Sequence, residues 1–160
     1  MGLRAMVVED DNFTRLSLVA ALEQRGITVA LQTASGAEAV TASKKTPISV
    51  ALLDLHLGSG PTGIDVAHAL RRHDPKIGIV FLTSFSDPRL MNPSLPPMPA
   101  GSQYLTKQSV KDIDMLFLAI TDSLSTRRAA SPHAPAPATR PVRAGTSRRR
   151  RGPRRGRGRG

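Results

Sequence analysis

Five short apolar runs alternate with longer amphipathic segments along the first 125 residues of the chain. The runs are bounded by Gly, Pro or polar residues, as is typical of β-strands, and they cover residues 4–8, 27–31, 49–54, 77–83 and 103–106. Apolar positions recur with helical spacing in residues 12–25, 36–45, 64–73 and 109–124. Strands that alternate with helices predict an α/β fold, with a parallel sheet covered by helices on both faces.

The helical spacing also predicts which side chains of the first and last helices face the core. In the first helix the predicted core positions are Phe13, Leu16, Val19, Ala20 and Leu22. In the last helix they are Ile113, Leu116, Phe117, Ile120 and Leu124. Met115 and Leu118 lie off this second stripe, so we predict that they are exposed, where a partner or a second copy of the chain could bind.

Two segments do not follow the alternation of strands and helices. Residues 85–101 contain five prolines, which exclude a long regular helix. The end of the chain consists mainly of Ala, Pro, Arg, Ser and Gly, with Val142 as its one large aliphatic residue. Because such a segment cannot bury enough apolar surface to offset the entropy of ordering, residues 126–160 are predicted to be a disordered basic tail.

The net charge of +11 conceals two different parts of the chain. Residues 1–126 hold 11 basic and 12 acidic residues, a net charge of −1, whereas residues 127–160 hold 12 arginines and no acid. The absence of cysteine excludes disulfides and thiolate metal sites and fits a reducing compartment. No apolar stretch is long enough to span a bilayer, and no secretory signal is visible. We therefore expect a cytoplasmic protein without a membrane partner.

Polar side chains follow four of the five predicted strands, at the point where each strand ends. Glu9 and Asp10 follow the first strand, Asp54 ends the third, Thr83 ends the fourth and Lys107 follows the fifth. In open parallel sheets, ligands bind at the carboxyl ends of the strands, so we expect these side chains to converge. A lone acid such as Asp54 stays ionised in an apolar sheet only if a charged group meets it.

These residues occur in motifs that resemble those of a known family. In chain order the motifs are Val7-Val8-Glu9-Asp10-Asp11, Leu52-Leu53-Asp54, Phe81-Leu82-Thr83-Ser84 and Tyr104-Leu105-Thr106-Lys107. They resemble the receiver domain of two-component response regulators over residues 3–125. The resemblance implies a flavodoxin-like, doubly wound, five-stranded parallel sheet of order 2-1-3-4-5, with a fourth helix that is short or irregular in this chain.

The resemblance also implies a phosphorylation site and a Mg²⁺ ion. Asp54 would be the phosphoacceptor. Asp54 and Asp10 would both be direct Mg²⁺ ligands. Glu9 would bind the ion through water, and the backbone carbonyl of His56 would be a further ligand. Three carboxylates in one pocket repel one another by roughly 4 kcal/mol per pair at about 4 Å, which a hard divalent cation would relieve.

The remaining implied roles concern phosphoryl binding and switching. Thr83 and Lys107 would hold and neutralise the phosphoryl group, and Tyr104 would be an aromatic switch that follows Thr83. The implied partner is a sensor histidine kinase or a phosphotransfer protein, and the chain would be a signalling domain rather than an enzyme. A homodimer is a further expectation.

Other interpretations of the same residues stay open at this stage. The acids of residues 9–11 could cap the first helix, Thr83 could be an ordinary strand end, Lys107 a solvated lysine and Tyr104 a core residue. The chain could alternatively be an aspartyl-phosphate phosphohydrolase. That class, however, requires a second acid two residues after the nucleophile, and this position is His56. A second alternative function is that of a nucleic-acid-binding protein that acts through its tail. The net charge of −1 of residues 1–126 argues against contact between that part of the chain and DNA.

The chain departs from the family pattern at three places. Gln108 replaces the usual proline after the lysine, so we expect a trans peptide bond there. The loop from Asp54 to Gly63 is about one residue longer than usual. The proline-rich segment replaces most of the fourth helix, which in the family transmits the signal, so the sequence does not predict which surface has this role here. The basic tail has three interpretations: a non-specific binder of nucleic acid, a solvated extension, or an out-of-frame remnant of a lost output domain.

Overall fold

The computed structural model of the protein describes residues 2–84 and 96–129, with side chains described as far as residue 126. The strands are β1 (Arg4–Val8), β2 (Thr28–Thr33), β3 (Val50–Asp54), β4 (Gly78–Thr83) and β5 (Gln103–Thr106). The helices are α1 (Asn12–Gln24), α2 (Gly36–Ser43), α3 (Gly63–His73) and α4 (Ile113–Ala129), and a 3₁₀ turn (Ser109–Lys111) precedes α4. None of the described helices is long and apolar enough to cross a bilayer.

The five strands form one parallel sheet in the order β2-β1-β3-β4-β5, which confirms the predicted flavodoxin-like topology. Every residue of the central strand β3 is buried, because helices cover both faces of the sheet. In this parallel arrangement all strands end at one edge of the sheet, which we call the carboxyl edge. They all begin at the opposite edge, which we call the amino edge.

Two apolar cores lie on the two faces of the sheet. Alternate residues of each strand point to opposite faces, so Leu52 joins one core and Leu53 the other. On the first face α1 and α4 contribute Leu18, Leu22, Leu116, Ala119 and Ile120. On the second face α2 and α3 contribute Ala39, Ile64, Val66, Ala67 and Leu70. Packing on both faces of the sheet therefore holds the strand ends at the carboxyl edge in fixed positions.

The prediction for the buried face of α1 was partly wrong. Leu22 is buried as predicted, but Phe13 is 81% and Leu16 52% exposed, and Ala20 is also exposed. The helix turns Leu18 and Leu22 to the sheet, and at about 100° per residue this places Phe13, Leu16 and Ala20 on the far side. Both sets have helical spacing, so the sequence pattern alone does not distinguish them.

The last helix follows its prediction more closely. Leu116 and Ile120 are buried and Leu124 packs against the core, whereas Phe117 is 37% exposed. Met115 and Leu118 are 44% and 55% exposed, which confirms that they lie off the core stripe. The helix continues to Ala129, so residues 126–129 are helical rather than part of the predicted tail. Residues 85–95 of the predicted irregular segment 85–101, and residues 130–160, lie outside the described residues, whereas residues 96–101 are described and form no helix.

The segment that leads into β5 is attached to α3. The His68 ring Nε2 donates to the Pro97 carbonyl at 2.8 Å, and one turn later Arg71 Nη1 donates to the Ala100 carbonyl at 2.8 Å. Between these two points Met98 packs against the core formed by α2 and α3. Hydrogen bonds from His68 and Arg71 thus fix the chain before β5 to α3, and Met98 packs against the core on the same face of the sheet.

Candidate functional site

Three carboxylates from two neighbouring strands meet at the carboxyl edge. Glu9 and Asp10 directly follow β1, and Asp54 is the last residue of β3. Because Val8 pairs with Leu53, the residues that come next in the two strands lie side by side. One oxygen from each of Glu9, Asp10 and Asp54 lies within 4.8 Å of the others. Glu9 and Asp54 are buried, whereas Asp10 is exposed.

Lys107 completes this cluster from the far end of the sheet. Its backbone N–H donates to the Thr83 carbonyl at 2.7 Å, which continues the pairing of β5 with β4. Its ammonium group donates to Asp54 Oδ2 at 2.9 Å and to Glu9 Oε1 at 3.0 Å. The structure therefore joins residues from β1, β3 and the end of β5 through one amine.

The backbone around Asp54 fixes the position of its carboxylate. The N–H of His56 donates to Asp54 Oδ1 at 3.1 Å, and the N–H of Gly63 donates to the Leu55 carbonyl at 3.2 Å. A Cβ on Gly63 would lie 2.1 Å from the Asp54 carbonyl oxygen, so only glycine allows this approach of α3 to β3. The His56 residue is exposed, and its carbonyl belongs to the loop between Asp54 and α3.

The electrostatics of the cluster leave it short of positive charge. Three carboxylates and one ammonium group give a net charge of −2 when all are ionised. Burial raises the pKa of Glu9 from 4.5 to about 7; the hydrogen bond from Lys107 opposes this shift and the Asp54 charge adds to it. Burial alone would lower the pKa of Lys107, but its hydrogen bonds to Asp54 and Glu9 outweigh that effect and raise it. The amine is therefore charged, and a divalent cation would balance the remainder.

The donor set of the cluster fits a hard cation. The buried Glu9 Oε2 atom lies 3.0 Å from Lys107 Nζ, and the same amine contacts Asp54, so two of the three carboxylates share one positive charge. All the available ligand atoms are oxygens, which favours Mg²⁺ or a similar ion over softer metals. The residues present are thus compatible with the predicted Mg²⁺ site.

Thr83 and Tyr104 occupy different environments. Thr83 is buried at the end of β4, where it pairs with Thr106, and its carbonyl binds Lys107. Tyr104 is 52% exposed, so the alternative that it is a core residue is wrong. The two residues lie on adjacent strands, because Phe81 pairs with Tyr104 two positions before Thr83.

The structure separates the acids of residues 9–11 into two groups. Asp11 is the N-cap of α1, since its carboxylate accepts the Thr14 N–H at 2.7 Å. Glu9 and Asp10 belong to the carboxylate cluster instead, so capping explains only one of the three acids. All described peptide bonds are trans, including the bond before Gln108, as expected.

Two features beside the cluster were not predicted from the sequence. The Arg15 guanidinium donates to the Glu9 carbonyl at 2.8 Å and to Asn12 Oδ1 at 2.7 Å, so it fixes the turn that carries Glu9. The helical spacing of Asn12 and Arg15 was the available signal. The second feature is a groove of about 530 Å³ between α1 and the segment after β5, which has the exposed Phe13 and Lys107 on its walls.

Comparisons with known proteins agree with this fold and this cluster. The family model for the response regulator receiver domain matches residues 5–120 of the chain. A search of curated protein sequences gives no significant match. Among solved structures, a response regulator receiver protein from Sinorhizobium medicae is 23% identical, with a TM-score of 0.65 over 79% of this chain and 97% of that chain.

Two further solved structures are similar to the same part of the chain. A CheY-like receiver domain protein from Methanospirillum hungatei is 21% identical, with a TM-score of 0.66 over 81% of this chain and 99% of that chain. The response regulator PhyR from Brucella abortus is 25% identical, with a TM-score of 0.66 over 81% of this chain and 51% of that chain. The family match covers most of the chain, and the structural matches share its sheet order and its helices. The chain belongs to the response regulator receiver domain family.

Proposed function

We propose that this protein is a phosphoacceptor response regulator and that Asp54 receives the phosphoryl group. The observation that carries the proposal is the contact of Lys107 with Asp54 and Glu9 at the carboxyl edge, beside Asp10. A nucleophilic carboxylate must be ionised and accessible to a phosphorus atom from one side. The hydrogen bonds from Lys107 and His56 fix the orientation of the Asp54 carboxylate.

The proposed step is phosphoryl transfer from a phosphohistidine of a sensor histidine kinase or a phosphotransfer protein. A carboxylate oxygen of Asp54 attacks the phosphorus atom, a P–O bond forms, and the P–N bond breaks as the imidazole leaves with the bonding electron pair. The Lys107 ammonium group neutralises charge on the phosphoryl oxygens, and the Thr83 hydroxyl binds one of them. Each group already lies at the end of a rigid strand, so little reorganisation is required.

The residues that would hold Mg²⁺ are those of the carboxylate cluster. Asp10 and Asp54 would be direct ligands, Glu9 a ligand through water, and the His56 backbone carbonyl a further ligand. When bound, the ion supplies positive charge to the phosphoryl oxygens and offsets the net charge of −2 on the four side chains. The close approach of three carboxylates, with a single amine between them, supports this assignment.

The groove beside Phe13 supports a docking role in the same function. Phe13 is 81% exposed on the first turn of α1, and Lys107 lines the same groove. Exposed aromatic residues next to a reactive centre are typical contact points for a partner protein. We infer that the phosphohistidine partner covers this groove while its imidazole reaches Asp54.

The proposed output is a conformational change at Thr83 and Tyr104. A phosphoryl group on Asp54 would draw the Thr83 hydroxyl towards it and leave space behind that side chain. Tyr104 is half-exposed on the neighbouring strand and would turn into that space. Met115 and Leu118 are exposed on α4 and would then contribute to a surface for a partner or a homodimer.

We also propose that the chain signals rather than hydrolyses a substrate. An aspartyl-phosphate phosphohydrolase would require a second acid two residues after the nucleophile in the sequence, and that position is the exposed His56. The receiver unit spans residues 3–125 in this proposal, extended by the end of α4, and the basic segment after it forms a separate tail.

The proposal is tested by incubating the full-length protein with acetyl phosphate and Mg²⁺ and measuring its intact mass. We expect the addition of one phosphoryl group in the wild type and none in Asp54→Asn. Asp122→Asn is the matched control, because Asp122 is exposed on α4 and remote from the cluster. A wild-type mass that does not change, or a phosphoryl group that persists in Asp54→Asn, would contradict the proposal.

A further inference from the structure

The side chain of Arg15 spans the turn between β1 and α1. Its Nη1 group donates to the Glu9 carbonyl at 2.8 Å, and its Nη2 group donates to Asn12 Oδ1 at 2.7 Å. Arg15 is half-buried, whereas the next residue, Leu16, is exposed. The planar guanidinium group holds two donors in a fixed arrangement, so it joins the end of β1 to the start of α1 with a defined geometry.

The location of Arg15 within its helix is electrostatically unfavourable. Arg15 is the fourth residue of α1, where the helix dipole disfavours positive charge. In α3, by contrast, Arg71 and Arg72 lie in the last turn, where the dipole favours positive charge. The dipole of α1 therefore does not account for an arginine at this position, and its two hydrogen bonds offset the unfavourable charge.

The carbonyl that Arg15 binds belongs to the peptide group between Glu9 and Asp10. The other side of Glu9 is also held, because its N–H donates to the Thr33 carbonyl at 3.1 Å. A rotation of the Glu9–Asp10 peptide plane would break the hydrogen bond from Arg15 and would move the Asp10 side chain. The guanidinium group therefore restricts the direction in which Asp10 leaves the end of β1.

The carboxylates of Glu9 and Asp10 differ in what holds them in place. The Glu9 carboxylate accepts hydrogen bonds from the Lys107 ammonium group at 3.0 Å and from the Asp11 N–H at 3.1 Å. The Asp10 side chain is exposed, although one of its oxygens lies within 4.8 Å of oxygens of Glu9 and Asp54. An exposed side chain keeps rotational freedom, so the place of Asp10 in the cluster depends strongly on its backbone.

We propose that Arg15 is a positioning residue for the divalent cation and acts through the Glu9–Asp10 peptide group rather than by contact with the ion. The inference rests on the proposed Mg²⁺ site. Groups that orient metal ligands are part of a metal site, and their removal typically weakens metal binding by about 10–100-fold. Arg15 has this role in spite of its own positive charge, which repels a cation.

The charge of Arg15 separates this role from two simpler ones. If Arg15 acted only as a charge beside the cluster, a neutral replacement would strengthen Mg²⁺ binding. If it acted only on the stability of α1, the replacement would lower the melting temperature and leave the Mg²⁺ dissociation constant of the folded protein unchanged. Only the positioning role predicts weaker binding by a protein that is still folded.

The test measures the Mg²⁺ dissociation constant of the full-length protein from its amide NMR spectrum during a titration with Mg²⁺ alone. Arg15→Met removes the guanidinium group and keeps a long side chain that suits a helix. Arg72→Met is the matched control, because Arg72 is exposed in the last turn of α3. Arg15→Lys keeps the charge but not the planar pair of donors. The spectra also show whether each variant is folded.

We expect Arg72→Met to bind Mg²⁺ like the wild type and Arg15→Met to have a dissociation constant about tenfold higher or more. Arg15→Lys should show a smaller rise, because its ammonium group still donates but without the fixed geometry. An unchanged or lower dissociation constant in Arg15→Met would overturn the proposal. If Arg15→Met does not fold, an unchanged constant in Arg15→Lys would overturn it. A wild type that does not bind Mg²⁺ would overturn the proposed metal site as well, so the two failures are distinguishable.

Discussion

The ammonium group of Lys107 hydrogen-bonds to Asp54 Oδ2 at 2.9 Å, across 53 residues of the chain. Both groups are mostly shielded from water, so each would be costly to bury without the other. The same amine contacts Glu9, and the backbone of Lys107 binds the Thr83 carbonyl. One residue after β5 therefore connects the ends of β1, β3 and β4.

Glu9→Gln should stabilise the metal-free protein at alkaline pH. The pKa of Glu9 is raised from 4.5 to about 7 in the folded state, so as the pH rises the unfolded chain loses its proton first. The wild type should therefore lose up to about 3 kcal/mol of stability between about pH 4.5 and about pH 7, and the loss is complete above that range. Glutamine is uncharged at every pH, so the variant should not lose this stability as the pH rises.

Urea denaturation in the presence of a chelator measures this effect. Near pH 8 the variant should be more stable than the wild type by about 1–3 kcal/mol, and the difference should disappear near pH 4. Glu23→Gln serves as the control, because Glu23 is exposed at the end of α1. An equal stability of Glu9→Gln and wild type across this range would show that Glu9 is not penalised by burial.

Mg²⁺ should stabilise the protein, and Asp10→Asn should abolish most of that stabilisation. At a hundredfold excess over its dissociation constant, a ligand of the folded state adds about 2.7 kcal/mol. Thermal denaturation with and without Mg²⁺ measures the difference. Asp11→Asn is the matched control, since asparagine also caps a helix and Asp11 lies outside the cluster. Equal responses of the two variants would contradict the assignment of Asp10.

The Mg²⁺ effect should also depend on pH through Glu9. Below the pKa of about 7, Glu9 is protonated and offers a weaker acceptor to a metal-bound water. We expect a larger rise in melting temperature near pH 8 than near pH 6, and this difference should be smaller in Glu9→Gln. A wild-type rise that is equal at both pH values would argue against a role for Glu9 at the metal.

Phe13→Ala should slow phosphorylation by a phosphohistidine partner but not by acetyl phosphate. Phe13 is 81% exposed and supports no core contact, so its loss should leave Asp54 unchanged. If Phe13 is a hot spot of this interface, its truncation should cost about 2 kcal/mol, which corresponds to about thirtyfold in transfer efficiency. The measurement compares transfer rates from a phosphorylated histidine kinase and from acetyl phosphate.

Leu16→Ala is the control for the docking surface. Leu16 is 52% exposed on the same helix but does not line the groove beside Phe13. Its transfer rate from the kinase should stay close to that of the wild type. A Phe13→Ala protein that accepts phosphoryl groups from the kinase at the wild-type rate would exclude the groove as the docking surface.

Gly63→Ala should disrupt both stability and phosphorylation. The added Cβ would lie 2.1 Å from the Asp54 carbonyl oxygen, and a strand backbone cannot yield without moving Asp54. We expect a loss of about 3 kcal/mol or more in the free energy of unfolding. Thr62→Ala removes only the N-cap of α3, costs about 1 kcal/mol and should keep phosphorylation. Denaturation and intact mass distinguish the two variants.

The sheet was predictable because its signals are local and repeated. Each strand is an apolar run with a clear end, and β1 and β5 have the predicted bounds. The convergence of Asp54 and Lys107 was also predictable, since parallel strands end at one edge and the motifs occur in the family order. No single residue predicts this convergence. The prediction depends on polar residues at the ends of four strands taken together.

Other features depend on rotation and contact, which sequence spacing does not determine. The two faces of α1 have equally good helical spacing, so the exposure of Phe13 required the position of the helix on the sheet. The bonds of Arg15 to the Glu9 carbonyl and of His68 to Pro97 join side chains to backbone, for which residue type gives no signal.

The attachment of the chain before β5 to α3 has a mechanical consequence. A rearrangement that displaces the Pro97 and Ala100 carbonyls must either break their bonds to His68 and Arg71, at about 1–3 kcal/mol in total, or carry α3 with it. The opposite end of α3 touches the Asp54 backbone through Gly63. A displacement of the Asp54 backbone and a displacement of the chain before β5 would therefore both act on α3, so this one helix mechanically couples the carboxylate cluster to the segment that precedes β5.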